Sequence, residues 1–368
     1  MASFKALKFA SVFIIFSSIL VSEVELRYAK GFQVRHEGKI KIVTVSNLRD
    51  THEEPHSYIL IPKDLVDLPV RPEGQIIRTP IDRAASMSTT HLSHFVELGL
   101  RRRLKAFSNL AHILSPDLKK LVSNGLIQEL GTHINEMTET AMNARIEMLF
   151  SFGPGNPLSR FDGLIAAGIP VVLNREYMEE HPLGYAEWIK FTALFFHQET
   201  LAERIFSTME KRYLNLSNQA FGCKFSPPVL MNALYNGIWY LPGGKTYWAN
   251  LVKDANARYI LQNNKSREGG IPHTFEEVHK LGGSALYWIN AEGFTCAELA
   301  QKDPRYKRFG AFHRKNVYNR NRKVSLGQED DYYENGLSHP DILLRDLISI
   351  FHPEIISQEK LVWFRKAP

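Results

Sequence analysis

The sequence predicts an α/β protein with two Rossmann-like lobes, one long inter-lobe helix and a ligand cleft between the lobes. Short apolar strand patterns alternate with helix patterns up to residue 181, and the same alternation resumes after residue 217. Between these two regions, residues 182–216 have the composition of one continuous helix. A chain of 368 residues is long enough for two such units, so we divide it into lobes at 31–181 and 217–368.

Composition excludes several classes of function. The chain is 44% hydrophobic and 23% charged, as is ordinary for a globular protein, and its net charge is only +6. Acidic residues are interleaved with most basic ones, except in the run Arg101–Lys105, which we interpret as a solvated helix face. No nucleic-acid-binding signature surrounds this run, so we predict no nucleic-acid partner.

Residues 1–30 are predicted to be a signal peptide. Lys5 and Lys8 precede the uncharged stretch 9–21, which is shorter than the ~20 residues that a membrane-spanning helix needs. Ala29 is one candidate cleavage point, and an uncleaved membrane anchor is the alternative. There is no cysteine near this end to carry a lipid. We therefore predict that the protein is exported.

The first lobe begins with strand patterns and leads to a group of polar residues. Alternation over Lys39–Val45 predicts a half-buried strand, and a second strand pattern over Gln75–Ile81 leads into Ser88, Thr89, Thr90 and His91. These four residues either cap a helix that starts near Leu92 or face a cleft at the carboxyl end of a strand.

The linking helix is predicted over residues 182–216. Leu201, Ile205, Met209 and Tyr213 recur every four residues, and Trp188 belongs to an earlier aromatic stripe. Two ordinary helices with a break between them are the alternative. The acidic pair Glu179–Glu180, just before this helix, is interpreted as solvated.

The second lobe contains an aromatic segment directly after its first strand pattern, Val229–Leu234. Its rings stand among turn-forming Gly and Pro residues, which predicts a platform for a bulky ligand. The alternative is a strand end whose rings enter a core. The four rings are those of Tyr235, Trp239, Tyr240 and Tyr247.

The two cysteines do not form a metal-binding motif. Cys223 and Cys296 have no Cys or His at ligand spacing nearby, which argues against a zinc site. Whether they bridge each other is left open. We also find no Gly-x-Ser-x-Gly, His-Glu-x-x-His or phosphate-loop motif, so we predict that the protein is not an enzyme.

Seven sequence pieces together resemble the helical-backbone (class III) substrate-binding proteins of ABC transporters, the ferric-siderophore, haem and cobalamin binders of the periplasm. The pieces occur in the family's order within residues 38–355. They are Ser88–His91, Asn174–Phe191, Tyr235–Gly244, Asp303–Arg305, Val317–Asn319, Asp331–Glu334 and His339–Glu354.

The resemblance implies a set of ligand-binding residues facing the cleft from both lobes. Those of the first lobe are Ser88, Thr89, Thr90, His91, Ser108, Asn109 and Thr132, beside Gly131 and His133. Those of the second lobe are Tyr235, Asn236, Trp239, Tyr240 and Tyr247. It further implies that one exposed glutamate per lobe docks into a membrane permease. Glu139 and Glu276 fit these roles, with Glu136 as the alternative to Glu139 because the surrounding motif departs from the family pattern.

The resemblance implies a monomeric importer component that captures a metal chelate and has no cofactor of its own. Aromatic rings suit a corrin, porphyrin or catecholate, and an anionic ferric complex would need a guanidinium, for which Arg175 and Arg314 are candidates. The lack of an arginine cluster favours a macrocycle or neutral chelate. A ligand-sensing or adhesion module is the alternative function. A related metal-cluster enzyme would need several cysteine ligands, and this chain has two.

Overall fold

The computed structural model describes residues 24–66, 73–131, 133–153, 158–293, 295–324, 330–357 and 361–368. Its described part contains two parallel β-sheets, each flanked by helices, and two smaller sheets. The predicted α/β class is therefore confirmed.

A four-stranded sheet precedes the first parallel sheet. Its strands are β1 (Phe32–Glu37), β2 (Ile40–Val45), β3 (His56–Pro62) and β4 (Gln75–Thr79). The first three strands are antiparallel, and β4 runs parallel to β3. In β2, Ile40 and Ile42 join one apolar cluster while Val43 and Val45 join the main core. This strand is thus covered on both faces, where the sequence predicted a half-buried strand.

The first lobe is built on a five-stranded parallel sheet of order β7-β6-β5-β8-β9. Its strands are β5 (Ala84–Ser86), β6 (Leu104–Phe107), β7 (Gln128–Glu129), β8 (Met148–Ser151) and β9 (Val171–Leu173). Its helices are α1 (Leu92–Glu97), α2 (Pro116–Ser123), α3 (Ile134–Asn143) and α4 (Asp162–Ala166). The strand order changes direction between β5 and β8. Ligands of open α/β sheets bind at the carboxyl ends of strands at such a point.

The prediction of one helix over 182–216 is wrong, because two helices occupy this region. They are α5 (Pro182–Leu194) and α6 (Glu199–Phe221). Between them His197 has a φ of 55°, in the left-handed region that a right-handed helix cannot contain. Its ring hydrogen-bonds to Thr79 Oγ1 at 3.0 Å, which fixes the break. Every residue of α5 is buried, and the chain passes from the end of α6 into the second lobe.

The second lobe has a five-stranded sheet of order β13-β10-β15-β16-β17 and a small sheet of order β11-β12-β14. Only β17 in the larger sheet is antiparallel to its neighbour. The strands are β10 (Pro228–Met231), β11 (Leu234–Tyr235), β12 (Ile238–Leu241), β13 (Arg258–Tyr259), β14 (Ile271–His273), β15 (Tyr287–Ile289), β16 (Val317–Asn319) and β17 (Arg365–Lys366).

The second lobe has five helices among the described residues. They are α7 (Tyr247–Asp254), α8 (Phe275–Gly282), α9 (Cys296–Lys302), α10 (Gly310–His313) and α11 (Pro340–Phe351). Thr274 caps α8 in a capping box, in which the Glu277 carboxylate accepts a hydrogen bond from the Thr274 backbone N–H. The strand order of the larger sheet changes direction between β10 and β15.

Residues 24–31 form an arm that is hydrogen-bonded to the first lobe. The buried Glu187 carboxylate accepts hydrogen bonds from the backbone N–H groups of Arg27, Tyr28 and Ala29 at 2.8–3.1 Å. Glu179, also buried, accepts those of the next two residues, and the prediction that it is solvated is wrong. The folded lobe therefore begins by residue 24, upstream of the predicted boundary at 31.

The predicted signal peptide falls mostly outside the described residues, since only 24–30 of it are described. In the described part of the chain, no helix combines the length and the apolar character that crossing a membrane requires.

Candidate functional site

The polar residues after β5 form a turn at the switch point of the first lobe. Thr89–His91 make one turn of 3-10 helix, and Ser88 caps it by accepting a hydrogen bond from Thr90 N at 3.4 Å. Thr90 Oγ1 in turn donates to the Glu176 carboxylate at 2.5 Å. Ser88, Thr89 and Thr90 remain partly exposed. The sequence left open whether these residues cap or face a cleft, and Ser88 does cap.

His91 lies beneath this turn and does not face open solvent. It is 1% exposed, and its Nδ1 is hydrogen-bonded to Ser86 Oγ at 2.9 Å. Its Nε2 lies 3.7 Å from Glu176 Oε1. Burial alone raises the pKa of Glu176, but the charge and hydrogen bonds of His91 and Thr90 hold it below its usual range. His91 therefore supports the turn from below, in contrast to the cleft-facing position implied by the resemblance.

The residues predicted after β6 and β7 shape the neighbouring loops. Ser108 Oγ donates to the Met87 carbonyl at 3.0 Å, and Asn109 caps the next turn by accepting from Ala111 N at 3.0 Å. Both side chains are partly exposed. Thr132 lies outside the described residues.

One of the two predicted guanidinium candidates lies at the carboxyl edge of the first-lobe sheet. Arg175 directly follows Asn174, the residue after β9, and pairs with Glu53 through Nη2 while its side chain is 6% exposed. A Cβ added to Gly153, in the loop after β8, would lie 3.7 Å from its Nε. Arg314, in contrast, is exposed and precedes β16, so it lies at the opposite edge of the second-lobe sheet.

The aromatic segment divides between core and surface. Trp239 is fully buried: its indole N–H donates to the Met231 carbonyl at 2.9 Å and its ring stacks on Trp288 at 5.6 Å. Tyr247 is 9% exposed and donates to the Leu337 carbonyl at 3.3 Å. For these two rings the platform prediction is wrong, and the alternative of a core position is the one the structure has.

The glycines of this segment also have a structural role. A Cβ on Gly243 would lie 2.4 Å from the Ser266 carbonyl oxygen, and one on Gly244 would lie 2.3 Å from that of Asn264. These glycines are therefore required by the close approach of the chain at residues 261–266. The sequence prediction instead attributed them to an open platform.

The other two rings lie on an exposed face of the small sheet. Tyr235 and Ile238 are directly opposite each other in register, and Tyr240 lies on the same face because side chains alternate along β12. Their exposures are 64%, 39% and 38%. Asn236 occupies the intervening turn with a φ of 50°, and it is exposed. We call the side chains of Tyr235, Ile238 and Tyr240 the aromatic face. Its two tyrosines are the rings of the predicted platform that are exposed in the structure.

A cavity of about 310 Å³ adjoins the switch point of the second lobe. It is lined by the residues that follow β10 and β15, including Ala233 and Ala291, and by Asn236 from the hairpin turn. Charged groups around it include Glu292 and Arg305. The resemblance implied Asn236 as a contact residue, and its position at this cavity is compatible with that role.

Arg320 directly follows β16, so its guanidinium group lies at the carboxyl edge of the second-lobe sheet. Its Nη2 donates to Tyr333 OH at 2.6 Å, and its Cζ lies 4.8 Å from the ring centroid of Tyr332. Asp330 lies 3.4 Å from its Nε. Tyr333 is 46% exposed, so this aromatic–arginine pair reaches the surface.

The two lobe edges contact each other directly. The segment 332–336 packs against the turn 89–91 of the first lobe. Glu334, 1% exposed, accepts hydrogen bonds from the backbone N–H groups of Leu114 and Ser115. Burial raises the pKa of Glu334 to about 6 in spite of these hydrogen bonds. Ser93 Oγ also donates to Ser338 Oγ at 2.7 Å.

Buried polar atoms without a protein partner are concentrated at the two edges. Buried polar atoms of proteins are normally paired, so an unpaired one marks a place where a water molecule or a ligand can bind. The unpaired atoms after first-lobe strands are Ser151 Oγ, Asn174 Nδ2, and Nε and Nη1 of Arg175. Those after second-lobe strands are both amide atoms of Asn290, Nε of Arg320 and Oδ1 of Asn321. Polar groups of this kind can orient a ligand through hydrogen bonds.

Several of these residues were not among the predicted binding residues. Asn174, Asn290 and Arg320 each directly follow a parallel strand, a position at which side chains can face a ligand cleft. Glu334 carries no such signal, because its backbone partners at 114–115 lie about 220 residues away in the sequence. A search for polar residues that follow predicted strands could have found Asn174, Asn290 and Arg320, but it could not have found Glu334.

The predicted docking glutamates are both exposed. Glu139 lies in the middle of α3 beside a surface depression that Met142 and Arg160 also line. Glu276 lies in the first turn of α8, 3.4 Å from Arg305. Glu136, the alternative, is near Gly131, where an added Cβ would lie 3.0 Å from its Oε2.

Both cysteines are unbridged. Within the described ranges, one group of side chains has atoms close enough together to share a metal ion, and it contains Cys223. That group lies at the ends of α6 and α11, away from the strand ends.

No protein-family model matches the chain. A curated relative, an uncharacterized lipoprotein of Methanocaldococcus jannaschii, is 28% identical over 260 residues, which is 68% of this chain. The match spans 58% of that relative's length.

Solved structures of solute-binding proteins resemble the fold. A periplasmic haem-binding protein from Pseudomonas aeruginosa has a TM-score of 0.58 at 17% identity, covering 78% of this chain and 98% of that one. The siderophore-binding protein FeuA of Bacillus subtilis, complexed with ferri-bacillibactin, has a TM-score of 0.55 at 11% identity, covering 75% and 94%. The vitamin B12-binding protein BtuF of Vibrio cholerae has a TM-score of 0.51 at 11% identity, covering 76% and 99%. The chain thus has the bilobal α/β fold of the class III periplasmic binding proteins.

Proposed function

We propose that this protein is the exported solute-binding component of an ABC importer. It captures a metal chelate between its lobes and delivers it to a membrane permease. The observation that carries the proposal is the concentration of unpaired buried polar atoms at the carboxyl edges of both parallel sheets. The proteins of similar fold that bind haem, vitamin B12 or a ferric siderophore support the same class of ligand.

The preferred ligand is a planar metal macrocycle with acidic groups at its periphery. The aromatic face of Tyr235, Ile238 and Tyr240 offers apolar contact to a large ring system. Arg175 and Arg320, one at each lobe edge, suit carboxylate or phosphate groups such as those that haem and cobalamin carry. Both guanidiniums are already partly neutralised, by Glu53 and Asp330, which disfavours a highly anionic ferric siderophore.

Fluorescence titration of the purified protein with haemin, cobalamin and a ferric catecholate siderophore tests this proposal. We expect saturable quenching of tryptophan fluorescence by one of the macrocycles. Tyr240→Ala should weaken that binding about tenfold, since a lost aromatic contact is worth about 1 kcal/mol or more. Phe225→Ala is the matched control. Phe225 is 58% exposed in the second lobe but precedes β10, at the edge opposite the candidate site.

Two results would contradict the proposal at different levels. Saturable quenching by the siderophore alone would overturn the macrocycle preference while keeping the transport function. Failure of all three chelates to bind would overturn the ligand class itself.

A further inference from the structure

The ends of two helices meet at a group of potential metal ligands that the proposed function does not use. Cys223 lies two residues beyond the end of α6, and His352 and Glu354 lie just beyond the end of α11. One ligand atom from each of the three lies within 4.8 Å of the other two. Cys223 Sγ is 3.4 Å and His352 Nδ1 is 3.5 Å from Glu354 Oε1.

These distances match a tetrahedral zinc site. Zn–S, Zn–O and Zn–N bonds of about 2.3, 2.1 and 2.0 Å place the S–O and N–O edges of a tetrahedron at about 3.6 and 3.4 Å. The two measured edges therefore need to change by only about 0.2 Å. The third edge, from sulfur to nitrogen, is at most 4.8 Å long, and rotation of the partly exposed Cys223 side chain can adjust it.

The buried histidine is oriented as a metal ligand would be. His352 is 2% exposed, and its Nε2 lies 3.1 and 3.2 Å from the carbonyl oxygens of Ala255 and Asn256. A carbonyl can only accept, so Nε2 carries the proton and the lone pair of neutral His352 is on Nδ1, which faces the other two ligands. This backbone-to-histidine hydrogen bond is the usual outer contact of metal-binding histidines.

The loop 255–256 also fixes the cysteine. Asn256 Nδ2 donates to the carbonyls of Ala220 and Cys223 at 2.9 and 3.0 Å, while the Asn256 carbonyl is a partner of His352. One residue thus positions two of the three ligands, so the group is held in place before any ion binds.

The local charge favours a cation. Each helix C-terminus carries a partial negative charge of about half a unit, and α6 and α11 both end here. A Cys thiolate and a Glu carboxylate would neutralise a divalent ion. A thiolate–imidazole–carboxylate set is a borderline-soft combination that suits Zn²⁺ better than Ca²⁺ or Mg²⁺.

We propose that Cys223, His352 and Glu354 bind one Zn²⁺ ion, with a water molecule as the fourth ligand. The site joins the end of the helix that leads into the second lobe to the end of the last long helix. It is independent of the ligand cleft. Burial and the neighbouring Glu354 raise the pKa of the Cys223 thiol, so Zn²⁺ must displace its proton.

Optical titration of the reduced, chelator-treated protein with Co²⁺, produced without a histidine tag, tests the site. We expect one Co²⁺ per chain, with a thiolate-to-metal charge-transfer band that Zn²⁺ abolishes by displacement. Cys223→Ser should remove this band and weaken Zn²⁺ binding at least about tenfold. Glu354→Gln should weaken binding in the same way, and with 64% exposure its side chain is dispensable for folding.

Cys296→Ser is the matched control, because Cys296 is the other unbridged, partly exposed cysteine. It should leave the band and the Zn²⁺ affinity unchanged. The proposal is overturned if wild-type protein shows no saturable Co²⁺ binding, if Cys223→Ser retains the band, or if Cys296→Ser loses it. None of these outcomes depends on the ligand bound in the cleft.

Discussion

Neighbouring aromatic side chains on β12 have opposite environments because successive residues of a strand face opposite sides. Trp239 packs in the second-lobe core, whereas Tyr240 is on the exposed face. Trp239→Ala should therefore lower the free energy of unfolding by about 3–5 kcal/mol. Tyr240→Ala should lower it by less than about 1 kcal/mol. Urea denaturation of both variants measures the difference, and equal losses would contradict the assignment of the two faces.

Glu334 should make stability depend on pH. Its pKa is raised from 4.5 to about 6 in the folded protein, so the folded state holds a proton that the unfolded state has released between these values. This contribution is fully present below pH 4.5 and is lost as pH rises through about 6, a change of about 2 kcal/mol. Glu334→Gln cannot titrate. The wild type should lose about 2 kcal/mol relative to this variant between pH 4.5 and 7, by urea denaturation. A pH-independent difference would refute the prediction.

At the scale of elements, the N-terminal arm is a part of the first lobe. Removal of residues 1–30 takes away the backbone donors that serve Glu187, which is fully buried beside Lys190. The buried carboxylate would then keep only Lys190 as a partner, and the loss of three backbone donors should cost about 3 kcal/mol or more of stability. Removal of residues 1–23 leaves these contacts in place and is the control. Thermal unfolding of both truncated chains measures this, and equal midpoints would show that the arm is dispensable.

The break between α5 and α6 illustrates what the sequence alone does not contain. The residues around His197 carry no Gly or Pro, so local helix signals continue through them. The turn is fixed instead by Thr79, 118 residues earlier in the chain. The burial of Trp239 likewise depends on Trp288 in a different strand. Strand alternation acts over a few residues, and a strand does occur over Ile40–Val45, although the structure covers both of its faces.

At the scale of the whole molecule, the two-lobe organisation was predictable because each lobe repeats a local strand–helix pattern. The carboxyl edges of the sheets follow from that pattern, and so do polar residues placed directly after strands, such as Asn174 and Asn290. Their pairing across the lobes was not predictable. It depends on how segment 332–336 packs on the turn at 89–91, which no local signal records.

The proposed delivery of ligand requires that both lobes contact a permease at once. Charge reversal by Glu139→Lys or Glu276→Lys should reduce uptake of the bound macrocycle about tenfold or more, because each replaces an attractive interface charge with a repulsive one. Ligand affinity should not change, since Glu139 lies on α3 and Glu276 on α8, and neither side chain lines the cavity at the second-lobe strand ends. The nearby Arg305 makes a weak, exposed pair with Glu276, so folding should tolerate its loss.

Glu136→Lys, on the same helix as Glu139, distinguishes the two docking alternatives in the first lobe. Uptake of the labelled macrocycle by cells that carry each variant is the measurement, and fluorescence titration of the same variants is its control. If Glu136→Lys alone blocks uptake, the first-lobe docking residue is Glu136. If all three variants bind ligand and support normal uptake, the charges do not dock a permease. The bilobal fold would then serve capture of the ligand without this mode of delivery.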